Sequence, residues 1–90
     1  MKQLARAIVS GEVQGVGFRY FILGQSRKFA VLGFVKNLAD GAVEIQAEGE
    51  RGEVEKFLES CKGGGFHRVE RLEVEWKPAG GKFKSFEIRR

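Results

Sequence analysis

The hydrophobic periodicity of this chain is the feature that most restricts its fold. Val54, Phe57, Leu58 and Cys61 recur at i, i+3, i+4 and i+7, which predicts an amphipathic helix with charged residues on its other faces. Residues 43–48 instead alternate apolar and polar side chains, which is typical of a strand with one buried face. Segments of helical and strand-like period follow one another along the chain, and their order limits the possible topologies.

The remaining segments complete this order. Asp40-Gly41 is a hairpin-turn signal because both residue types tolerate positive φ. Ile22, Ser26 and Phe29 form the predicted inward stripe of another helix, and three glycines at 63–65 are predicted to end the helix around 54–61. The predicted elements are a strand over 4–10, a helix over 18–29, strands over 33–38 and 43–48, a helix around 54–61, a strand over 72–76 and a short strand at 86–88.

The order β-α-β-β-α-β, with a short terminal strand, predicts an α+β fold. Two split β-α-β units give a ferredoxin-like sandwich, in which an antiparallel sheet carries both helices on one face. Ninety residues support one modest core, to which eight Phe residues contribute large apolar volume. Residues 1–90 are therefore predicted to form a single domain. This fold serves many activities, so its function depends on particular residues.

Composition excludes several classes of protein and site. No apolar run approaches the roughly 20 residues of a membrane span, and the first residues lack the apolar stretch of a signal peptide. One Cys and one His exclude a disulfide framework and a multi-cysteine zinc site, so we predict no metal, no cofactor and a reducing, cytoplasmic setting. Residues 1–36 hold six basic residues against one acidic residue, Glu12, which favours an anionic ligand there.

A glycine-rich turn joins the first predicted strand to the first predicted helix. It reads Gly-Glu-Val-Gln-Gly-Val-Gly over residues 11–17, and Arg19 follows in the first turn of the helix. The amides of such a loop and the positive end of the helix dipole favour an anion, and a guanidinium matches a phosphoryl group. The spacing fits neither common nucleotide-binding fingerprint. The alternative interpretation is a tight turn followed by a solvated arginine.

Residues 11–19 resemble the signature of the acylphosphatase family, G-x-V-Q-G-V-G-F-R. A second element of that family, G-[FYW]-[AV]-[KR]-N, resembles Gly-Phe-Val-Lys-Asn at residues 33–37, and the similarity covers nearly the whole chain. The resemblance implies hydrolysis of acyl phosphates to carboxylate and phosphate without a metal. It implies that Arg19 binds the phosphoryl oxygens and that Asn37 orients the attacking water. It also implies a cradle of backbone amides formed by Gln14, Gly15, Val16, Gly17 and Phe18.

The chemistry of an acyl phosphate suits a site that has no general acid. Its leaving group is the carboxylate of an acid with a pKa of about 4, which departs without being protonated. Phosphoryl transfer depends mostly on positioning and charge stabilisation. The predicted ligands are therefore a small acyl phosphate and phosphate or other oxyanions. We expect no membrane partner, no nucleic acid and a monomeric state.

Two other functions stay open on the sequence. One is a non-catalytic regulatory domain that binds an anion at the same loop without turnover. The other is an RNA-binding module of the RRM type, which stacks bases on aromatic residues of its open sheet face. Phe34 and Lys36 are the candidates on that face, where Arg6, Ile8 and Ser10 provide no aromatic pair.

Three further side chains have structural interpretations. Cys61 lies on the inward stripe of its helix and is predicted to be a small core residue. His67 is predicted to be a solvated loop histidine. Tyr20, next to Arg19, is predicted to cover the sheet edge, with a ligand contact as the alternative.

Overall fold

The observed elements follow the predicted order. A computed structural model describes residues 1–15, 17–63 and 67–90. Its elements are β1 (Lys2–Glu12), α1 (Phe18–Ser26), β2 (Leu32–Asn37), β3 (Val43–Glu50), α2 (Arg51–Cys61), β4 (Arg68–Pro78) and β5 (Phe86–Arg89). Val16, a predicted cradle residue, and residues 64–66, at the predicted helix stop, lie outside the described residues. Neither helix in the described part of the chain has the length and apolar character that a membrane crossing requires.

The five strands form one sheet in the order β4-β1-β3-β2-β5. β1 pairs with β3 and β4, and β2 pairs with β3, all in the predicted antiparallel sense. β5 runs parallel to β2, with Ile88 opposite Val35, so the prediction of a wholly antiparallel sheet is wrong at this edge. The reason is topological, because β5 starts at the end of the sheet where β4 finishes and so runs opposite to β4. The fold is the predicted ferredoxin-like sandwich with a mixed sheet.

Both helices pack on one face of the sheet and enclose the core. α2 buries all four residues of its predicted stripe against small and branched side chains of β1 and β3. α1 buries Ile22 and Ser26 as predicted, but it ends at Ser26 because the amides of residues 27–29 bond three positions back instead of four. Phe29 still packs edge-on against Phe57, with ring centroids 6.4 Å apart.

The other face of the sheet is charged and partly covered. Alternation along β3 predicts that Glu44 and Glu48 face solvent, yet only 6% and 7% of their surfaces are exposed. Glu44 accepts hydrogen bonds from Arg6 at 2.8 Å and Gln46 at 2.9 Å, and the ammonium of Lys36 lies 4.0 Å away. Burial alone raises the pKa of Glu44, but these hydrogen bonds and positive charges outweigh it and hold the pKa below its usual range.

The loop between β4 and β5 supplies part of that cover. Glu48 accepts hydrogen bonds from the amides of Gly80 at 2.9 Å and Gly81 at 3.2 Å, which ties the loop to β3. Farther along the loop, the ring of Phe83 packs against Phe34 with centroids 5.9 Å apart. Phe34 is buried by this contact and is not available to stack on a base, which argues against the RNA-binding alternative.

Candidate functional site

The loop between β1 and α1 places backbone amides at the start of the helix. Gly15 and Gly17 have φ angles of 113° and 95°, which residues with a Cβ disfavour. Gly17 is the N-cap of α1, and the described residues provide neither a side-chain cap nor an acidic residue in its first turn. The first-turn amides and the positive end of the helix dipole are left for another acceptor, and an anion suits both.

The side chain of Gln14 fastens this loop to the turn between β2 and β3. Its amide donates hydrogen bonds to the backbone carbonyls of Leu38 at 2.6 Å and Ala42 at 2.8 Å. The turn itself is the predicted Asp40-Gly41 hairpin, in which the carboxylate of Asp40 accepts a hydrogen bond from the Ala42 amide at 3.0 Å. Gln14 thus holds the end of β2 beside the loop through its side chain.

Arg19 lies in the first turn of α1 and forms an ion pair with no Asp or Glu of the described residues. Its Nη1 donates to the backbone carbonyl of Arg89 at the end of β5, 3.4 Å away. The guanidinium of Arg89 in turn lies 4.2 Å above the ring centroid of Phe34. β5 therefore orients Arg19, whose remaining guanidinium donors suit a phosphoryl group.

Asn37 is the last residue of β2 and pairs with Val43 across the turn that Gln14 fastens. Its Oδ1 atom is buried and accepts no hydrogen bond from the described residues. An unsatisfied buried acceptor costs about 1–3 kcal/mol, and a donor that enters the site removes this cost. Asn37 therefore offers an acceptor to a polar hydrogen such as that of a water molecule.

Four of the predicted site residues line one cavity of about 390 Å³, whereas Gln14 and Phe18 are not among its lining residues. Its lining consists of Gly15, Gly17, Arg19, Tyr20 and Asn37. Two larger cavities, of about 480 and 440 Å³, lie around the N-terminus and around the start of β2. Neither of these two is lined by an arginine among the described residues, so chemistry and not size identifies the 390 Å³ cavity as the candidate site.

Three aromatic side chains at the loop differ in burial. Phe18 is fully buried, so it anchors the loop in the core, and it is not among the residues that line the cavity. Tyr20 is 71% exposed, so the prediction that it packs at the sheet edge is wrong. His67 is also not a solvated histidine, because it is half-buried with its ring centroid 5.0 Å from that of Phe18. These contacts join segments far apart in sequence, so no local pattern indicates them.

Cys61, the other candidate nucleophile, is not among the residues that line the cavity. Cys61 is buried in the stripe of α2, as predicted, and burial raises its pKa to about 12. Its thiol therefore stays protonated near neutral pH and is a weak nucleophile. Across residues 1–15, 17–63 and 67–90, no three His, Cys, Asp or Glu side chains are grouped as metal ligands would be.

Comparison with known proteins finds relatives along nearly the whole chain. The family model described as Acylphosphatase matches residues 5–88. An acylphosphatase of Anaeromyxobacter sp. (strain Fw109-5) is 46% identical over 92 aligned positions, which cover 99% of each chain. A crystal structure of acylphosphatase from Bacillus subtilis matches with a TM-score of 0.92 and 39% identity, covering 98% of this chain and 99% of that one. An acylphosphatase structure from Coxiella burnetii matches at 0.87 and 30% identity, covering 98% and 93%. Because these matches span the cavity as well as the core, the chain belongs to the acylphosphatase family.

Proposed function

We propose that this chain hydrolyses acyl phosphates to a carboxylate and inorganic phosphate in the cavity between the β1–α1 loop and the end of β2. One observation carries the proposal: Arg19 and Asn37 line the same cavity. Arg19 pairs with no described carboxylate, and the buried acceptor of Asn37 has no partner among the described residues. Membership of the acylphosphatase family supports the reaction class.

In this mechanism the phosphoryl group lies against the N-terminus of α1. The backbone amides of the loop, including Gly15, Gly17 and Phe18, donate to its oxygens, and Arg19 adds a fixed positive charge with parallel donors. In phosphoryl transfer the negative charge is spread over three equatorial oxygens, so donors already in place stabilise the transition state. The hydrogen bond to the carbonyl of Arg89 limits the freedom of the Arg19 guanidinium.

Asn37 positions the attacking water. Its Oδ1 accepts one hydrogen of the water molecule, whose oxygen forms the new bond to phosphorus. The bond from phosphorus to the acyl oxygen breaks, and its electron pair leaves with the carboxylate. The proton released by the water passes to a phosphate oxygen, so the products are a carboxylate and dihydrogen phosphate. The carboxylate of an acid with a pKa of about 4 needs no proton donor to leave.

The mechanism draws its charge stabilisation from the guanidinium and the amides, so it requires neither a metal ion nor an organic cofactor. We infer that the protein acts as a monomer, because one copy of the chain supplies the loop amides, Arg19 and Asn37 that the mechanism requires. We also infer a cytoplasmic setting, which suits a chain with one buried, unpaired cysteine.

The test is hydrolysis of benzoyl phosphate in the presence of EDTA by the wild type, Arg19→Ala and Asn37→Ala. We expect turnover by the wild type and a loss of about 100- to 1,000-fold in kcat/KM for each variant. Inhibition by inorganic phosphate should separate the two roles. It should weaken in Arg19→Ala and persist in Asn37→Ala, because of these two side chains only that of Arg19 binds the phosphoryl oxygens.

Arg27→Ala and Gln25→Ala are matched controls, since they remove a guanidinium and a carboxamide near the other end of α1. Both should keep wild-type kinetics. A wild-type protein that binds phosphate without turnover would favour the non-catalytic anion-binding domain instead. A protein that neither binds phosphate nor turns over would contradict the proposal, and a loss of activity in EDTA that a divalent cation restores would contradict its metal-free form.

A further inference from the structure

Tyr20 is exposed without a packing role that explains its position. Tyr20 is 71% exposed, which among the described large apolar residues is second only to Met1. The side chain of Tyr20 forms no hydrogen bond and no ring pair with the described residues, whereas its neighbours Phe18 and Phe21 pack against each other with centroids 6.3 Å apart. The core therefore uses the other aromatic residues at this end of α1 and leaves Tyr20 to the surface.

Tyr20 also lines the same cavity as Arg19 and Asn37. Among the side chains that line it, those of Arg19 and Asn37 are half-buried and that of Tyr20 is exposed, so Tyr20 borders the cavity where it meets solvent. A phosphoryl group held by the loop amides and Arg19 leaves the rest of its molecule to extend toward solvent. The acyl group of a bound acyl phosphate thus lies on the side of the cavity that Tyr20 borders.

We propose that Tyr20 contacts the acyl group and selects acyl phosphates with an aromatic or other large apolar acyl group over those with a short one. This inference rests on the proposed function. A phenol ring offers a large, rigid contact surface with only two side-chain torsions to order. Aromatic pairs also gain free energy beyond the area that they bury. An acetyl group is too small to cover the ring and gains little from it.

The first experiment compares kcat/KM for benzoyl phosphate with kcat/KM for acetyl phosphate. We expect the ratio to favour benzoyl phosphate in the wild type, to fall about five- to tenfold in Tyr20→Ala, and to be retained in Tyr20→Phe. Ala is the best helix former, so Tyr20→Ala is expected to fold. Leu32→Ala is the matched control, because Leu32 is a 38% exposed apolar side chain at the opposite end of β2 from Asn37.

The second experiment measures binding without turnover. Phenylphosphonate and methylphosphonate carry a phosphorus–carbon bond that the reaction does not cleave, so their dissociation constants can be measured by calorimetry. We expect the wild type to bind phenylphosphonate more tightly by a factor similar to its kinetic preference, and Tyr20→Ala to lose that factor. Leu32→Ala should keep it.

The outcomes separate this inference from the proposed function. Hydrolysis with the same selectivity in the wild type and Tyr20→Ala overturns the role of Tyr20 and leaves the function intact. A wild type without hydrolysis, but with a phosphonate preference that depends on Tyr20, contradicts the function and supports the ring as the contact for an apolar group. A wild type without any preference for the phenyl group overturns the inference directly.

Discussion

The two helices of this protein differ in how their N-termini are completed. The first turn of α2 contains Glu53, whose carboxylate also accepts a hydrogen bond from the amide of Ala30 at 3.2 Å. That turn also holds Arg51, which pairs with Glu55 at 3.4 Å. The first turn of α1 contains no acidic residue among those described, and it carries Arg19, which no described carboxylate pairs, behind a left-handed Gly17. A positive side chain at the positive end of a helix dipole disfavours the helix, and a negative one favours it.

This difference separates stability from ligand binding. α2 buries a four-residue apolar stripe and, although it has no side-chain cap either, places the carboxylate of Glu53 in its first turn. α1 has no described acidic side chain in its first turn, which is the place where an anion is expected to bind. A phosphate bound there supplies the negative charge that Glu53 supplies in α2. Changes in α2 should therefore act mainly on the free energy of unfolding, and changes at the start of α1 mainly on the ligand.

Phe57→Ala should have the largest effect on stability. Phe57 is fully buried on α2, with its ring centroid 6.4 Å from that of Phe29 and 5.4 Å from that of Phe86. Its truncation should lower the free energy of unfolding by about 3–5 kcal/mol, because it leaves a cavity in the core. Urea unfolding measures the loss. The kcat/KM of the folded fraction should stay near that of the wild type. A large fall in kcat/KM would contradict the idea that α2 acts on stability and the start of α1 on the ligand.

Tyr20→Glu, compared with Tyr20→Gln, tests whether a negative side chain in the first turn of α1 competes with a bound anion. Both variants lose the ring, so the difference between them reports the negative charge alone. We expect the glutamate to weaken inhibition by phosphate about tenfold relative to the glutamine, because it repels the anion. It should also raise the free energy of unfolding by about 0.3–1 kcal/mol through the helix dipole. Equal phosphate inhibition in the two variants would place the anion elsewhere.

Glu53→Gln should have the smallest effect and is the reciprocal test on α2. Loss of its charge should lower the free energy of unfolding by about 0.3–1 kcal/mol at low salt. At about 1 M salt the difference from the wild type should nearly vanish, since the charge is then screened within a few ångströms. Phosphate inhibition should not change. A change in phosphate inhibition would show that the two helix termini are coupled.

Much of the fold could be predicted from local patterns. The apolar stripe of α2 and the Asp40-Gly41 turn are both signals within a few residues, and the structure has both. The prediction was wrong where distant segments decide the outcome. Glu44 and Glu48 alternate as solvent-facing residues should, but Arg6 and a loop more than 30 residues away in sequence cover them.

Only part of the candidate site could be predicted from such local patterns. The glycine-rich turn before a helix suggests an anion site by itself, and the resemblance to a family assigned roles to Arg19 and Asn37. Neither pattern indicates that the side chain of Gln14 holds the loop to the β2–β3 turn. The exposure of Tyr20 and the contact of His67 with Phe18 were also missed, because both depend on packing between segments that are not neighbours in sequence.

The sequence by itself determined the order of helices and strands, the face that α2 buries and the loop that suits an anion. These depend on residue type and spacing over one or two turns, where side-chain periodicity and glycine conformation act directly. Only the tertiary structure decided that β5 runs parallel to β2, that Arg19 is oriented by a carbonyl of that strand, and that Asn37, whose acceptor is buried, lines the same cavity as Arg19. Each of these depends on which segments the topology brings together. Local sequence patterns do not indicate burial or hydrogen bonds between segments that are far apart in sequence.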